Sequence, residues 1–202
     1  SPDGARILYS SNTHEYGGRS KWLWSIAHDG GAPERLPYGK AAHISFGPNG
    51  GVVIGRNTGD PAAWKRYRGG TAGRLWIDLR GSGEFLPLEP ADANLTAPMW
   101  IGDRIYFVSD HEGIGNLYSC AVTGDDLRRH THHEEYYCRR PRTDGRRIVY
   151  HSGADLYTYD TELEACSRVS VDLRSPRVQT RRKFVDPARY FQDCELHPDG
   201  HA

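Results

Sequence analysis

The chain has 202 residues, enough for one domain with a buried core or for a piece of a larger one. Its 26 basic and 26 acidic residues cancel, which argues against bulk electrostatic capture by nucleic acid or an anionic membrane. With 23 glycines, 12 tyrosines and 5 tryptophans it reads as an all-β chain of many short strands and turns.

No apolar run approaches the roughly 20 residues of a membrane-spanning helix, and no signal peptide opens the chain. The first residue is Ser rather than Met, so we expect a segment of a longer protein. Four stretches repeat one pattern, a tight turn followed by an apolar run: Asp3-Gly4 before Ile7, Asn49-Gly50 before Val52, Gly102-Asp103 before Ile105, and Asp144-Gly145 before Ile148. A fifth turn, Pro198-Asp199-Gly200, closes the series. Such turns supply the positive φ of a hairpin, and they recur at roughly 43 to 55 residues, the period of a propeller blade.

Each unit then offers a second strand with an aromatic near its start, at Trp22–Ile26, Leu75–Ile77, Leu117–Ala121 and Leu156–Tyr159. A weaker outer strand follows, such as Phe85–Leu88 or Leu127–His130. Innermost strands are expected before each turn, at Ala42–Phe46, Ala97–Ile101, Tyr137–Arg140 and Asp193–Leu196. The predicted architecture is a β-propeller of four-stranded antiparallel blades, about four blades plus one strand in an incomplete ring, in preference to a sandwich. Its blades would span about 1–39, 40–90, 91–132 and 133–175, with 176–202 beginning the next. A single helical turn is expected within Asp186–Phe191.

Propeller topology makes a functional forecast. The long segments Asn12–Ser20, Asn57–Gly73, Asp110–Gly115, Thr131–Tyr136 and Ser170–Tyr190 should all emerge on one face, the face that meets a partner domain or substrate. The loop residues Trp64, Lys65, Arg66, Tyr67 and Arg68, with Arg74, interleave cations and aromatics. They could stack on single-stranded nucleic acid, guide peptide carboxylates towards a channel, or pair with acids of an adjoining domain; domain contact is the favoured use. The basic run over Ser170–Tyr190 is read as a solvated connector.

His130, His132, His133, Glu134 and Glu135 resemble a metal cluster, yet no distant ligand is spaced to complete one, and a polar loop is preferred. No cofactor and no metal are expected. There is no G-x-S-x-G elbow, phosphate loop or dinucleotide fingerprint, so no catalytic residue is assigned. Cys120, Cys138, Cys166 and Cys194 lie far apart without a C-x-x-C pair and are read as reduced thiols, and the Asn94-Leu95-Thr96 sequon as chance.

The run Arg56–Asp78, with Arg104–Asp110 and Thr143–Ile148, resembles the first propeller of the tricorn proteases, and the likeness extends over essentially the whole chain. It implies a six-bladed propeller belonging to a cytoplasmic, homo-hexameric serine peptidase that shortens peptides released by the proteasome. Partners would then be peptides and other domains of the parent chain, with no nucleic acid and no membrane. The family's catalytic Ser and His belong to later domains, so the segment would scaffold or gate the peptide channel. A stand-alone propeller that binds a protein partner is the alternative.

Overall fold

A computed structural model describes residues 1–13, 20–59, 65–172, 174–195 and 197–200. Residues 1–170 form one unit and 171–202 another. The first unit holds fifteen strands in four antiparallel sheets among the described residues. The first sheet contains β1 (Arg6–Ser11), β2 (Trp22–Ala27) and β3 (Gly30–Lys40). The second contains β4 (His43–Phe46), β5 (Val52–Arg56), β6 (Arg74–Asp78) and β7 (Leu86–Leu88). The third has β8 (Leu95–Ile101), β9 (Arg104–Ser109), β10 (Asn116–Ala121) and β11 (Arg128–Arg129), and the fourth β12 (Arg139–Thr143), β13 (Arg147–Ser152), β14 (Asp155–Asp160) and β15 (Ala165–Val169). Each sheet is a meander of sequential neighbours, as in a partial β-propeller.

Turn chemistry sets the register. Asn49 and Gly50 both take positive φ, 55° and 78°, and the Gly51 N–H closes the turn on the Pro48 carbonyl at 2.9 Å. This left-handed pair carries the chain from β4 into β5, which pair from Phe46↔Val52 to His43↔Gly55.

The apolar runs are continuous where a sheet has neighbours on both sides. On β9, Ile105 and Phe107 pack with Val53, Leu75, Ile77 and Leu88 of the second sheet. Tyr106 and Val108, of opposite parity, pack with Ile148, Tyr150 and Tyr159 of the fourth. On β5, Val52 and Ile54 likewise join Leu23 of the first sheet, while Val53 faces the third. Both faces of these strands are therefore core, so alternation disappears. Within residues 1–170 the fourth sheet packs against the third on one face, and it alternates: Ile148 and Tyr150 are buried, while Val149 is 43 % and Leu156 44 % exposed.

Trp100 locks the second and third sheets together. A methyl group at Gly47 would fall 2.2 Å from its ring, so only a glycine lets the indole lie against the chain leaving β4. The Trp100 N–H turns away from β9 and donates to Ser45 Oγ on β4 at 2.9 Å. Two residues earlier, Pro98 follows Ala97 (φ 51°) where the β8–β9 register shifts; Pro141 follows Arg140 (φ 50°) at the matching shift in β12. Both prolines sit on the innermost, edge strand of their sheet, where a missing N–H breaks no ladder.

The second unit carries two single 3-10 turns, at Val178–Thr180 and Pro187–Arg189, and Asp186 caps the latter by accepting from the Ala188 N–H. The strand expected at Asp193–Leu196 is not formed: residues 193–195 are irregular, and Leu196 lies outside the described residues. A lone strand without a ladder partner gains too little to order itself. All four cysteines are free. Gly47→Ala is expected to destabilise the chain by about 1–3 kcal/mol through overpacking against Trp100, measured as a lower urea midpoint at unchanged m-value.

Candidate functional site

The loop between β5 and β6 is organised by an acid from the next sheet. Asp110, just past β9, is fully buried, and its carboxylate accepts from the Arg66 backbone N–H at 2.6 Å and the Asn94 N–H at 3.3 Å. Arg68 adds a guanidinium contact at 3.4 Å. Asn94 passes the tie onward, its Oδ1 accepting from the Gly73 N–H at 2.7 Å. Gly73 has no room for a side chain, since a methyl there would meet the Leu95 carbonyl at 2.1 Å. The Asn94 sequon thus serves a buried hydrogen bond.

Other expected residues gather around this anchor. Lys65 lies over the Tyr137 ring at 5.7 Å, and the Tyr137 hydroxyl donates to the Gly113 carbonyl at 3.0 Å. Arg66 takes φ 54°, a strained value that its bond to Asp110 stabilises. The Tyr67 hydroxyl accepts from Thr71 Oγ1 at 3.1 Å. Arg74 bonds the Ala93 carbonyl and lies 3.6 Å from Asp92. Arg68 and Arg74 therefore both meet acids of this same chain. Trp64 lies outside the described residues. The segments 65–73, 110–115 and 131–137 share one face, since Asn116 also donates to the His133 carbonyl at 3.0 Å. Of Asn12–Ser20, residues 14–19 lie outside the described residues.

The histidine-rich connector is dispersed into the packing between the third and fourth sheets. His130 Nε2 meets Ser119 Oγ and Nδ1 meets the Tyr159 hydroxyl, both at 2.7 Å. Burial, with lesser contributions from Arg104 and Arg128, lowers its pKa to about 4. His133 bonds the Tyr150 hydroxyl at 3.0 Å and stands edge-on to Tyr157, while His132 is exposed. Among the described residues no three His, Cys, Asp or Glu side chains are grouped to hold a metal ion. Ser109 Oγ lies 3.0 Å from His111 Nδ1, but this serine is fully buried and Glu112 stays 3.9 Å from His111 Nε2 while accepting from Tyr118. That contact is a local turn rather than an exposed nucleophile.

The inner edges of the sheets enclose a cleft of about 950 Å³, lined by β4, β8, β12 and the first sheet. Polar and charged groups line it at Ser10, His43, Ser45, Arg142 and Asp144, among apolar ones that include Leu8, Leu23, Phe46, Met99 and the two bulge prolines. His43 bonds Thr58 Oγ1 at 2.7 Å; burial first, then the charges of Arg142 and Lys21, lower its pKa to about 4. Neither the bulges nor this cleft was legible in the sequence, apart from the prolines themselves.

Residues 1–165 match the model of the tricorn protease N-terminal beta propeller domain. The chain belongs to this family. The tricorn relationship recurs in curated proteins: it is 43 % identical over 190 residues to tricorn protease homolog 1 of Streptomyces coelicolor, covering 92 % of this chain and 18 % of that protein. It is 38 % identical over 193 residues to the tricorn protease of Thermoplasma acidophilum, covering 95 % of this chain and 18 % of the relative. The chain thus spans under a fifth of these relatives. It superposes on the crystal structure of the tricorn protease with a TM-score of 0.80 and 37 % identity, covering 88 % of this chain and 17 % of that one. A TolB protein from Agrobacterium tumefaciens, 18 % identical with a TM-score of 0.62 over 83 % of this chain and 62 % of its own, shares the fold.

Asp110→Asn keeps the shape but removes the charge that gathers Arg68 and two amides. It is expected to cost roughly 2–4 kcal/mol in urea unfolding, because the buried donors are left poorly paired. Acid should also act through His43 and His130. Their folded pKa values of about 4 lie below the roughly 6.5 of an unfolded imidazole, so the unfolded chain takes up the protons. Stability is then complete above about pH 6.5 and drains as pH falls towards 4; a melting temperature that stays level from pH 7 to 4.5 contradicts this.

Proposed function

We propose that the chain is the N-terminal propeller segment of a tricorn-type serine peptidase that degrades oligopeptides downstream of the proteasome, and that its part is to scaffold or gate the peptide channel. The observation that carries this reading is the coincidence of a family match over residues 1–165 with a continuous cleft of about 950 Å³ along the inner strands. Catalysis is assigned to regions of the parent chain outside these residues. The parent acts as a homo-hexamer in the cytoplasm, its partners being peptides and its own further domains, with neither nucleic acid nor membrane involved.

The chemistry of the inner cleft suits transient passage. Its lining mixes polar groups such as Ser10, His43, Ser45, Arg142 and Asp144 with apolar ones such as Leu8, Phe46, Met99 and the prolines, so it offers an extended chain side-chain hydrogen bonds and apolar contact together. The loop residues Lys65, Arg66, Tyr67, Arg68 and Arg74 act as the segment's contact with substrate or a neighbouring domain, with Asp110 and Asn94 keeping them in place.

The full-length protein should hydrolyse fluorogenic oligopeptides. Arg142→Glu, an exposed change at the cleft, should raise KM for acidic peptides several-fold relative to neutral ones at nearly constant kcat, the pattern of lost uniform binding. A full-length protein without peptidase activity that instead forms a stoichiometric complex with another protein would replace this reading by a stand-alone binding module.

A further inference from the structure

A second cleft, of about 360 Å³, opens on the loop face between the first and second sheets. It is lined by Ser20 and Lys21 before β2, Lys40 at the end of β3, Asn57 and Thr58 after β5, and Thr71 before β6. Among the described residues of its lining, the charged side chains are both lysines. Among the described residues neither ammonium has an ion pair. Two like charges at one concavity repel each other unless an anion lies between them.

The surroundings add to the positive field. Arg56, next to Asn57, lies over the Trp76 ring at 4.4 Å and reaches the Tyr38 carbonyl at 3.4 Å, with its Nε buried and unsatisfied. It too has no carboxylate partner among the described residues. The Lys21 charge extends inward as well, since it contributes to holding His43 neutral.

The frame holding the two lysines is rigid. Ala41 donates to the Lys21 carbonyl at 3.0 Å and Ala42 to the Gly55 carbonyl at 2.8 Å, which pins the β3–β4 connection beside Lys21. Thr58 is 1 % exposed and tied to His43, and Gly59 donates to the Asn57 carbonyl at 2.9 Å. Only the long lysine side chains and the rim hydroxyl of Ser20 need to move on binding, which limits the ordering cost.

We propose that this cleft is a carboxylate-binding site, with Lys21 and Lys40 each meeting one oxygen and Ser20 and Asn57 supplying neutral hydrogen bonds. Carboxylate fits better than phosphate. Phosphate sites are built from nests of backbone N–H groups or helix N-termini, and the lining contains no helix. Two separated ammonium groups, each with three donors, can each take one oxygen of a planar carboxylate. The site is distinct from the inner cleft, and its occupancy does not depend on peptidase activity.

The test is calorimetric or NMR titration of the full-length protein at low ionic strength with N-acetylglycine, its uncharged amide N-acetylglycinamide, and inorganic phosphate. N-acetylglycine should bind saturably in the millimolar range and weaken as salt is raised. The Lys21→Gln/Lys40→Gln variant should lose about tenfold or more in affinity, and each single Lys→Gln variant severalfold, while Arg80→Gln, loss of one positive charge at an exposed position outside the cleft, should lose none. Both lysines are exposed, so the variant should keep its melting temperature, which is checked alongside. Equal binding of the amide, unchanged affinity in the double variant, or tighter binding of phosphate than of N-acetylglycine would each overturn the carboxylate assignment.

Discussion

The structure depends on strands that are apolar on both faces. Because side chains alternate along a strand, a sheet packed between two others must present core residues at every position, and β5 and β9 do so. Ile105 and Phe107 commit the third sheet to the second; Tyr106 and Val108 commit it to the fourth. Burial of apolar area is the dominant favourable contribution to folding, and here it is delivered between sheets, with hydrogen bonding left to act within each one. The loop face is a consequence. Once successive sheets stack in a fixed rotation, the ends of their strands bring Asp110 of one sheet within reach of the loop from the previous one.

Much of this was legible in the chain. The repeated turn and apolar run locate β5, β9 and β13, and the Leu-aromatic strands locate β6, β10 and β14. The inner strands are visible in outline at Ala42–Phe46 and Ala97–Ile101. Two outer strands carry little signal: β15 is exposed throughout, and β3 is eleven residues long with only three positions even partly buried. Such strands are held by backbone ladders, which side-chain patterns do not report. The strand expected at Asp193–Leu196 had the right composition but no neighbour among the described residues, and composition cannot supply one.

The site was legible in part. The basic and aromatic loop stood out from Lys65 to Arg74, and its described residues gather with segments 110–115 and 131–137. Its anchor did not stand out. Asp110 reads in sequence as an ordinary turn residue after a strand, and nothing local marks it as a buried carboxylate shared by three donors, because all three come from other parts of the chain. The histidines show the converse. His130 and His133 lie close in sequence, yet each is drawn to a different tyrosine of the fourth sheet. Proximity along the chain suggested a ligand set; packing separated it.

The prolines of the inner edges carry a last implication. An edge strand ordinarily invites another strand to pair with it, and a lumen bordered by such edges would hold an extended polypeptide by its backbone. Pro98 and Pro141 delete donors from that border, and Ser45 occupies the free N–H of Trp100. A polypeptide inside would find too few amide partners to zip up. The same substitutions that shield the molecule from fibril-like association would leave its interior slippery to anything threaded along it.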